Sequence, residues 1–360
     1  MTQPAMHEVQ YHEFRHIKQV KKLRNREAAK ELGISEGEAI ANAIGREAIR
    51  LRGPFHELIA AVPRLGRVMA LTRNEGAVHE KIGTFENVSY DHVGMVLGRD
   101  IDMRIFYSHW NHGYAVTEQS DKGAQHSLQF FDASGTAVHK IHLKEFSNLK
   151  AWQWLVEAFE HPDQSPGQTV ETVALPATPK PEYEIDQQGF AAAWLAMKDT
   201  HDFFIVMRKF GVNRIQAMRM APAGHAYQVD NNAVKQVLET AAADGTSIMC
   251  FVGNPGNIQI HTGAIQTVKE MGPPEMRWIN ILDDNFNLHL RMDMIAQSWV
   301  VKKPTLDGMV TSLELYDADG EMMAQFFGER KPGKPELLAW RNIVAHLELL
   351  QPADHPFTDA

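Results

Sequence analysis

A histidine lies in the first turn of a predicted helix within the segment DTHDFFIVMRKFG, residues 199–211. Phe203, Met207 and Phe210 recur at i, i+4 and i+7, which is the spacing of a buried helical stripe. At about 100° per residue, His201 lies well off that stripe. The histidine therefore need not belong to the core, and its side chain is a candidate ligand for a metal ion.

The start of this helix favours a neutral imidazole. Asp199 or Thr200 is expected to cap it, because a short oxygen side chain can accept from the exposed N–H groups. The positive potential of the helix N-terminus disfavours imidazolium, and a neutral imidazole with a free nitrogen binds iron or zinc. The simpler alternative is an exposed first-turn histidine without a ligand.

Two other pairs of histidines have spacings that could bind a metal ion. His12 and His16 lie at i, i+4 in a polar segment with no third ligand nearby, which favours a solvated helix face. His109 and His112 flank Trp110 in YSHWNHGYAV. A metal site there is an alternative, although the Asn-His-Gly sequence is typical of a turn.

The composition is that of an ordinary globular protein of 360 residues, 44% of them hydrophobic and 22% charged. The net charge of −9 argues against nucleic-acid binding as the main function. No apolar run approaches the roughly 18 residues of a membrane span, so no membrane insertion is expected. The one cysteine, Cys250, excludes an intrachain disulfide and is predicted to be an inert buried thiol. Together these features predict a cytoplasmic protein.

Four segments recur in the same order about 180 residues later, which indicates an internal duplication. They pair LGISEGEA with FGVNRIQA, VMALTRNEGAV with IMCFVGNPGNI, SLQFFDASG with SLELYDADG, and LKAWQWLVEAFEH with LLAWRNIVAHLEL. We predict an N-terminal repeat at 1–160, a linker rich in Pro, Thr and Gln at 161–189, and a C-terminal repeat at 190–360. The counterpart of His201 is Leu23, so the shared fold does not require the histidine.

Each half has helices first, then strands joined by tight turns, then a closing helix. The stretch 37–53 is predicted to be helical, turns are predicted at 254–256 and 317–320, and amphipathic helices surround Trp152 and Trp340. This order predicts an α+β fold. No strand–helix alternation, GxGxxG or P-loop motif is present, which argues against nucleotide binding on those frames.

Several long strings resemble one bacterial family. They are THDFFIVMRKFGVNR, IMCFVGNPGNIQIHTG, WINILDDNFNLHL, AQSWVVKKPTLDGMVTSLELYDADG, AQFFGERKPG and, in the first half, GRDIDMRIFYSHWNHGYAV. The chain resembles the hemin-degrading factor family, the HemS/ChuS/PhuS-like cytoplasmic hemin proteins, over roughly residues 20–350.

The resemblance implies two similar halves, each a large antiparallel sheet flanked by helices, with one heme in a cleft between them. His201 would be the axial ligand of the heme iron. The family's propionate and ring contacts correspond to Arg104, Lys303, Gln325 and Arg330, and its apolar walls to Phe106, Met249 and Phe251. Arg104 would also be a possible distal residue in catalysis.

Phe327 departs from the family pattern. A tyrosine is common in the family just before the Gly of the AQFFGER segment, and here a phenylalanine takes that position in the predicted pocket. A phenol that could hydrogen-bond a propionate or a distal water is therefore absent, which predicts weaker heme binding or altered oxygen chemistry.

Each of these assignments has a simpler alternative. Arg104 and Arg330 could be surface residues, and Lys303, which precedes a proline, could be a turn lysine. Met249 and Phe251 alternate along a predicted strand, so one face of that strand is buried whatever the function.

Three classes of function follow from the resemblance. The first is a heme carrier of heme uptake and iron utilisation, which passes hemin to a downstream oxygenase or to storage. The second is a heme-degrading enzyme that opens the ring and releases iron with electrons from outside, because no flavin or nicotinamide frame is present. The third is a heme-responsive interaction protein. The expected partners are a heme oxygenase or a heme-uptake transporter.

Overall fold

The computed structural model describes residues 6–121, 123–172, 179–330 and 333–347. By its internal contacts the chain divides into two compact units. Unit 1 contains Met1–Asn74, Val78–Leu175 and Gly253–Ile260, and unit 2 contains Glu75–Ala77, Pro176–Val252 and His261–Ala360. The predicted limits of the repeats and of the linker remain predictions, and a helix begins at Gln187 within the predicted linker.

The helices of the described residues are α1 Met6–Lys21, α2 Asn25–Leu32, α3 Glu36–Ala41, α4 Phe55–Ala61, α5 Leu149–Phe159, α6 Gln187–Leu195, α7 Asp202–Phe210, α8 Arg214–Arg219, α9 Ala233–Asp244 and α10 Leu338–Ala345. None of the helices in these residues is both long and apolar enough to cross a membrane.

The strands are β1 Ala48–Leu51, β2 Arg67–Arg73, β3 Ala77–Thr84, β4 Val88–Tyr90, β5 Gly94–Leu97, β6 Asp102–Ile105, β7 His112–Ser120, β8 Gly123–Phe131, β9 Ala137–Leu143, β10 Ala226–Val229, β11 Ile248–Asn254, β12 Asn257–Gly263, β13 Val268–Met271, β14 Trp278–Leu282, β15 Phe286–Arg291, β16 Gln297–Thr305, β17 Gly308–Tyr316 and β18 Met322–Gly328.

Both units are built on antiparallel sheet flanked by helices, as the sequence predicted. In unit 1 the strands pair in the order β1-β7-β8-β9-β2-β3 and, separately, β4-β5-β6-β12. In unit 2 they pair in the order β10-β16-β17-β18-β11 and β13-β14-β15. The predicted turns at 254–256 and 317–320 are present, since they join β11 to β12 and β17 to β18.

The duplication is visible in the residues that end one helix and begin the next in each unit. Gly33 ends α2 and Gly211 ends α7, with φ of 74° and 67°, a left-handed conformation that favours glycine. Ser35 and Asn213 then begin the next helix of each unit, each with a complete capping box. The two repeats thus share the local signals that end one helix and start the next.

One helix prediction is wrong. The stretch 37–53 is not a single helix, because α3 ends at Ala41 and β1 occupies Ala48–Leu51. Between them, Gly45 adopts φ 81°, which is outside the helical region. The residues of β1 are recruited by pairing with β7, a tertiary contact that overrides local helix propensity.

Helices cover both faces of the unit 2 sheet. On one face, α9 and α10 pack on a core that includes Cys250, Leu313 and Phe326. On the other face, α6, α7 and α8 pack over Trp299 and Tyr316 near β16 and β17. Cys250 is fully buried and burial raises the pKa of its thiol, as expected for an unreactive cysteine.

Candidate functional site

His201 lies immediately before α7, and its side chain is 86% exposed. The predicted stripe is confirmed in part, because Phe203 and Met207 are buried while Phe210 is half-buried. Next to the histidine, Phe204 and Ile205 are 50% and 67% exposed. An imidazole thus stands beside apolar side chains that the fold leaves uncovered.

Asp199 fixes the orientation of this imidazole. Its Oδ1 accepts from the backbone N–H of His201 at 2.8 Å and from Nδ1 of the ring at 2.5 Å. A carboxylate cannot donate, so Nδ1 carries the proton, and in the neutral imidazole Nε2 then keeps its lone pair. The pKa of Asp199 is lowered, first by the backbone hydrogen bond from His201 and then by the ring. This pairing leaves Nε2 free to bind a metal.

The capping prediction is wrong in its detail. Asp199 accepts from His201, which precedes the helix, and neither Asp199 nor Thr200 caps α7. The carboxylate of Asp202, the first helical residue, instead accepts from the backbone N–H groups of Lys198 and Asp199 at 2.8 and 3.0 Å. The Asp199 carboxylate does not cap the helix and instead accepts from the imidazole of His201.

Four residues of the predicted pocket share one face of the unit 2 sheet. Met249 lies opposite Phe327 and Phe251 lies opposite Gln325 on the paired strands β11 and β18. The rings of Phe251 and Phe327 meet edge to face, with centroids 5.1 Å apart. All four side chains are half-buried, whereas the alternating residue Cys250 is fully buried on the other face. The structure therefore brings these four residues together as one partly exposed, largely apolar patch.

A fully buried carboxylate, Glu314, lies on the neighbouring strand β17. It accepts from Lys303 Nζ at 2.7 Å, from Ser312 Oγ at 2.9 Å and from Tyr316 OH at 2.5 Å. Arg214 Nη1 lies 3.4 Å from its second oxygen. Burial alone would raise the pKa of Glu314, but the two cations lower it to about 2, so the group is ionised.

The two cations of this network also contact α7. Lys303 Nζ lies 4.5 Å from the ring centroid of Phe203, and Arg214 Cζ lies 5.7 Å from it. Arg214 also lies 5.0 Å from the ring of Phe204. Since these rings follow His201 by two and three residues, the network holds the start of α7 in place.

This network changes the interpretation of Lys303. The sequence predicted a contact with a propionate, but the ammonium is buried and bonded to Glu314. A direct contact with a ligand would require the exchange of that partner. The role of Lys303 in ligand binding therefore stays a prediction, and its structural role is new.

Arg330 follows β18 and lies close enough to Asp199 to lower the pKa of that carboxyl. Its Nε is buried and has no hydrogen-bond partner among the described residues. A cation with an unused donor near the imidazole is suited to an anionic group.

Arg104 and Phe106 lie in unit 1. Arg104 is on β6, is partly exposed, and forms an ion pair with Asp102. Phe106 follows the same strand and is half-buried. The functional roles predicted for both residues stay predictions.

The other histidine pairs do not form a metal centre in the residues that the structure describes, since no group of three or more potential ligands is found there. His12 and His16 lie on the exposed side of α1. His109 is exposed on a short 3-10 turn, whereas His112 begins β7.

Sequence reasoning missed Glu314, Arg214 and Tyr316. One signal was present, because Glu314 interrupts the apolar strand SLELY, where a carboxylate is costly to bury without partners. Its two cationic partners could not be read from the sequence, because Lys303 comes from the neighbouring strand β16 and Arg214 from α8.

Comparison with known proteins agrees with this architecture. A model of the haemin-degrading HemS/ChuX domain matches residues 33–159 and, a second time, residues 211–347. The chain belongs to this family. The two matches also confirm the duplication that the sequence predicted.

Curated relatives and solved structures give close matches over almost the full length. The hemin transport protein HmuS of Yersinia pestis is 40% identical over 324 residues, which cover 89% of this chain and 92% of HmuS. The holo form of PhuS, a heme-binding protein from Pseudomonas aeruginosa, is 40% identical with a TM-score of 0.92, covering 96% of this chain and all of PhuS. ChuS, an E. coli heme oxygenase, is 34% identical with a TM-score of 0.84, covering 94% and 99%.

Proposed function

We propose that this protein binds heme through Nε2 of His201 and acts as a heme carrier in heme uptake and iron utilisation. The observation that carries the proposal is the Asp199–His201 pair, which leaves one nitrogen of an exposed imidazole free to ligate. Membership of a haemin-degrading family and the similarity to HmuS and PhuS support it.

The residues present suit a heme group. Heme has apolar faces, two carboxylates and axial positions on its iron, so a site needs an imidazole, apolar walls and cations. In unit 2 these are offered by His201, by the half-buried face that carries Phe251 and Phe327, and by Arg330. Gln325 on the same face adds an amide that can donate to a carboxylate.

The residues of this chain would bind and orient the group as follows. Asp199 keeps the proton on Nδ1 of His201 and so presents Nε2 as the donor atom. Phe204 and Ile205 cover apolar surface beside the imidazole, and Arg330 compensates carboxylate charge. When bound, heme supplies an iron centre for ligation and redox chemistry. A single imidazole on an exposed turn is suited to a site that must also release its ligand.

Heme degradation is the second candidate function, because ChuS, at 34% identity, is a heme oxygenase. In this candidate heme would be the substrate, and Nε2 of His201 would hold its iron. Electrons would come from an external reductase, since the chain contains neither GxGxxG nor a P-loop motif.

Replacement of the axial ligand tests the proposal. Hemin is titrated into the wild-type protein and into His201→Ala, with the Soret band as readout. We expect a 1:1 wild-type complex, and in the variant a shifted Soret band with at least about tenfold weaker binding. The matched control is His225→Ala, a histidine outside α7 in the same unit. An unchanged spectrum and affinity in His201→Ala would remove this residue as the ligand.

The two candidate functions separate when the complex is reduced. Ascorbate is added under air with catalase present, so that free peroxide cannot attack the ring. A carrier keeps its Soret band and then transfers heme to an added heme oxygenase. Loss of the Soret band with formation of a bilin-like product would instead show that the protein degrades heme. The cytoplasmic location and the identity of an oxygenase or transporter partner remain part of the proposal.

A further inference from the structure

Unit 1 contains a surface cavity of about 500 Å³ that the proposed heme site does not use. Two guanidinium groups, from Arg50 and Arg52, and three imidazoles, from His56, His112 and His161, line it. None of the lining residues is Asp or Glu, although the chain carries a net charge of −9. The lining thus holds two guanidinium cations and no carboxylate, while outside it Asp163 lies 4.0 Å from Arg50, and Asp132 and Glu171 interact electrostatically with His112.

The hydrogen bonds that position the two arginines go to backbone carbonyl groups. Arg50 Nη2 donates to the carbonyl oxygens of Ser165 and Gly167 at 2.9 and 2.6 Å, and its Nε is buried without a partner in the described residues. Arg52 Nη2 donates to the carbonyl oxygen of Ala158 at 2.7 Å. A carbonyl satisfies a donor but leaves the cation's charge uncompensated. The nearest acid contact of Arg50, Asp163, is exposed and 4.0 Å away.

Aromatic rings form the other wall of the cavity. Phe55, Tyr107, Trp110 and Tyr114 line it. The polar atoms of two of them are already occupied, since Trp110 Nε1 donates to a backbone carbonyl and Tyr114 OH donates to a glutamine. Phe55, Trp110 and Tyr114 are buried, whereas Tyr107 is half-buried, so Tyr107 offers most of the aromatic surface that a ligand could contact.

The duplication shows that the fold does not require these cations. Arg50 pairs with Tyr114 on β7, and the residue at the same register in unit 2, paired with Trp299 on β16, is Gln228. Arg52 follows β1, and Asp230 follows β10.

Two of the lining histidines are also specific to unit 1. His56 is the second residue of α4, where α9 has Val234. His112 is the first residue of β7, where β16 has Gln297. Unit 2 forms the same elements with neutral or acidic side chains at these positions. The basic side chains of unit 1 are therefore not required for the fold.

We propose that this cavity is a binding site for a small planar organic anion, an aromatic or conjugated ring bearing a carboxylate. The exposed guanidinium of Arg52 would bind the carboxylate, since arginine presents donors in a fork that matches it. The half-buried ring of Tyr107 would pack on the ligand's ring. A cavity of about 500 Å³ lies within the range of small-molecule sites, about 300–1,000 Å³.

The test uses the full-length protein and two probes of the same shape, 2-naphthoate and its neutral amide, 2-naphthamide. Binding is measured by calorimetry at low and moderate salt. We expect 2-naphthoate to bind saturably, at least about tenfold more tightly than the amide, with an affinity that falls as salt rises. Equal affinity for both probes, or no saturable binding of 2-naphthoate at millimolar concentration, would overturn the proposal.

The duplication supplies variants that should keep the fold. Arg52→Asp and His112→Gln each introduce the residue that unit 2 carries at that position, and Arg52→Asp is expected to weaken 2-naphthoate binding at least about tenfold. The control Lys235→Gln, in unit 2, should leave it unchanged. Unaltered affinity in Arg52→Asp would rule the site out.

Hemin separates this proposal from the proposed function. His201→Ala should leave 2-naphthoate binding intact, so the two proposals can fail independently. A second equivalent of hemin that coordinates His112, seen as a second Soret component lost in His112→Gln, would replace the proposed ligand class with an iron-ligated one.

Discussion

The two repeats share the same helix ends and capping boxes, but they carry different polar side chains at matching positions. Where unit 2 has His201 before α7, unit 1 has Leu23, which packs against the small core formed by the first helices. Where unit 2 begins α8 with Arg214, unit 1 begins α3 with Glu36. Backbone geometry is thus shared, while polar side chains have diverged with function.

The charged side chains of the strands beside these helices also differ between the two units. Lys303 on β16 corresponds to Glu118 on β7, since each is the seventh residue of its strand. Glu314 on β17 corresponds to Gln129 on β8 in the same way. Unit 2 therefore builds its network around a buried carboxylate, whereas unit 1 has a neutral amide there. Only the first arrangement places two cations against the helix that follows the candidate ligand.

The largest effect is expected at Glu314. Glu314→Gln removes the charge that compensates buried Lys303, which should lower the free energy of unfolding by about 3–5 kcal/mol. Gln129→Leu, the matched change in unit 1, should cost about 1 kcal/mol, since it removes one hydrogen bond to Ser127. Urea denaturation of the two variants measures the difference. Equal losses would show that the buried network is no stronger than its neutral counterpart.

The contribution of Glu314 should also depend on pH. The pKa of this group is lowered to about 2 in the folded state from an ordinary value of 4.5. The unfolded chain therefore takes up the proton first as the pH falls. The stabilisation is complete above about pH 4.5 and is lost as the pH falls toward 2. The gap between wild type and Glu314→Gln should shrink over that range, and a constant gap would contradict the ion pair.

The next effect concerns a residue that unit 2 lacks. His139 on β9 is buried, and burial lowers its pKa to about 3, with a further contribution from His142. Because the unfolded histidine titrates near 6.5, the unfolded state binds more protons between pH 6.5 and 3, and stability falls as the pH drops. Acidification from pH 7 to 5 should cost about 2 kcal/mol through this residue.

Variants at His139 isolate this pH effect. His139→Gln removes one titrating group and should reduce the change in urea midpoint between pH 7 and 5, while His142, whose pKa burial also lowers to about 3, keeps its own share. His12→Gln, at an exposed position on α1, is the control and should keep the wild-type slope. An unchanged slope in His139→Gln would show that other groups cause it.

A smaller effect, on hemin affinity, is expected at Asp199, the partner of His201. Unit 1 has Leu23 in place of the histidine and so has no imidazole to orient. Asp199→Asn weakens the hydrogen bond to Nδ1 and should reduce hemin affinity about tenfold, as is common when the partner of a ligating histidine is lost. The iron–histidine stretching frequency should fall as well, which a purely structural role would not produce. Thr200→Ala is the control. An unchanged frequency would remove Asp199 from the ligand's surroundings.

The smallest effect is expected at Phe327, where unit 1 has His142 at the matching position of β9. Phe327→Tyr adds a phenol to the half-buried face without changing its shape. If that hydroxyl reaches a propionate, hemin affinity should rise by no more than about tenfold, in line with one added hydrogen bond. A fall in affinity in a hemin titration would show that the face must remain apolar.

Patterns along the chain predicted much of this architecture. The repeat, the turns at 254–256 and 317–320 and the exposure of His201 were all readable, because periodicity and turn chemistry act over a few residues. The helix over 37–53 was wrong, since pairing of β1 with β7 decides that segment. The resemblance to a family indicated His201 as the candidate ligand, but it did not indicate that Lys303 is buried and paired with Glu314.

The sequence by itself determined the duplication, the order of helices and strands and the position of His201 off the buried stripe of α7. Tertiary structure alone decided which charges are paired. A buried lysine and an exposed one look the same in a sequence, and the register of β16 against β17 brings Lys303 to Glu314. The basic cavity of unit 1 likewise joins a strand end, the start of a helix and a distant loop. Electrostatic interactions depend on distance and burial, and the fold sets both.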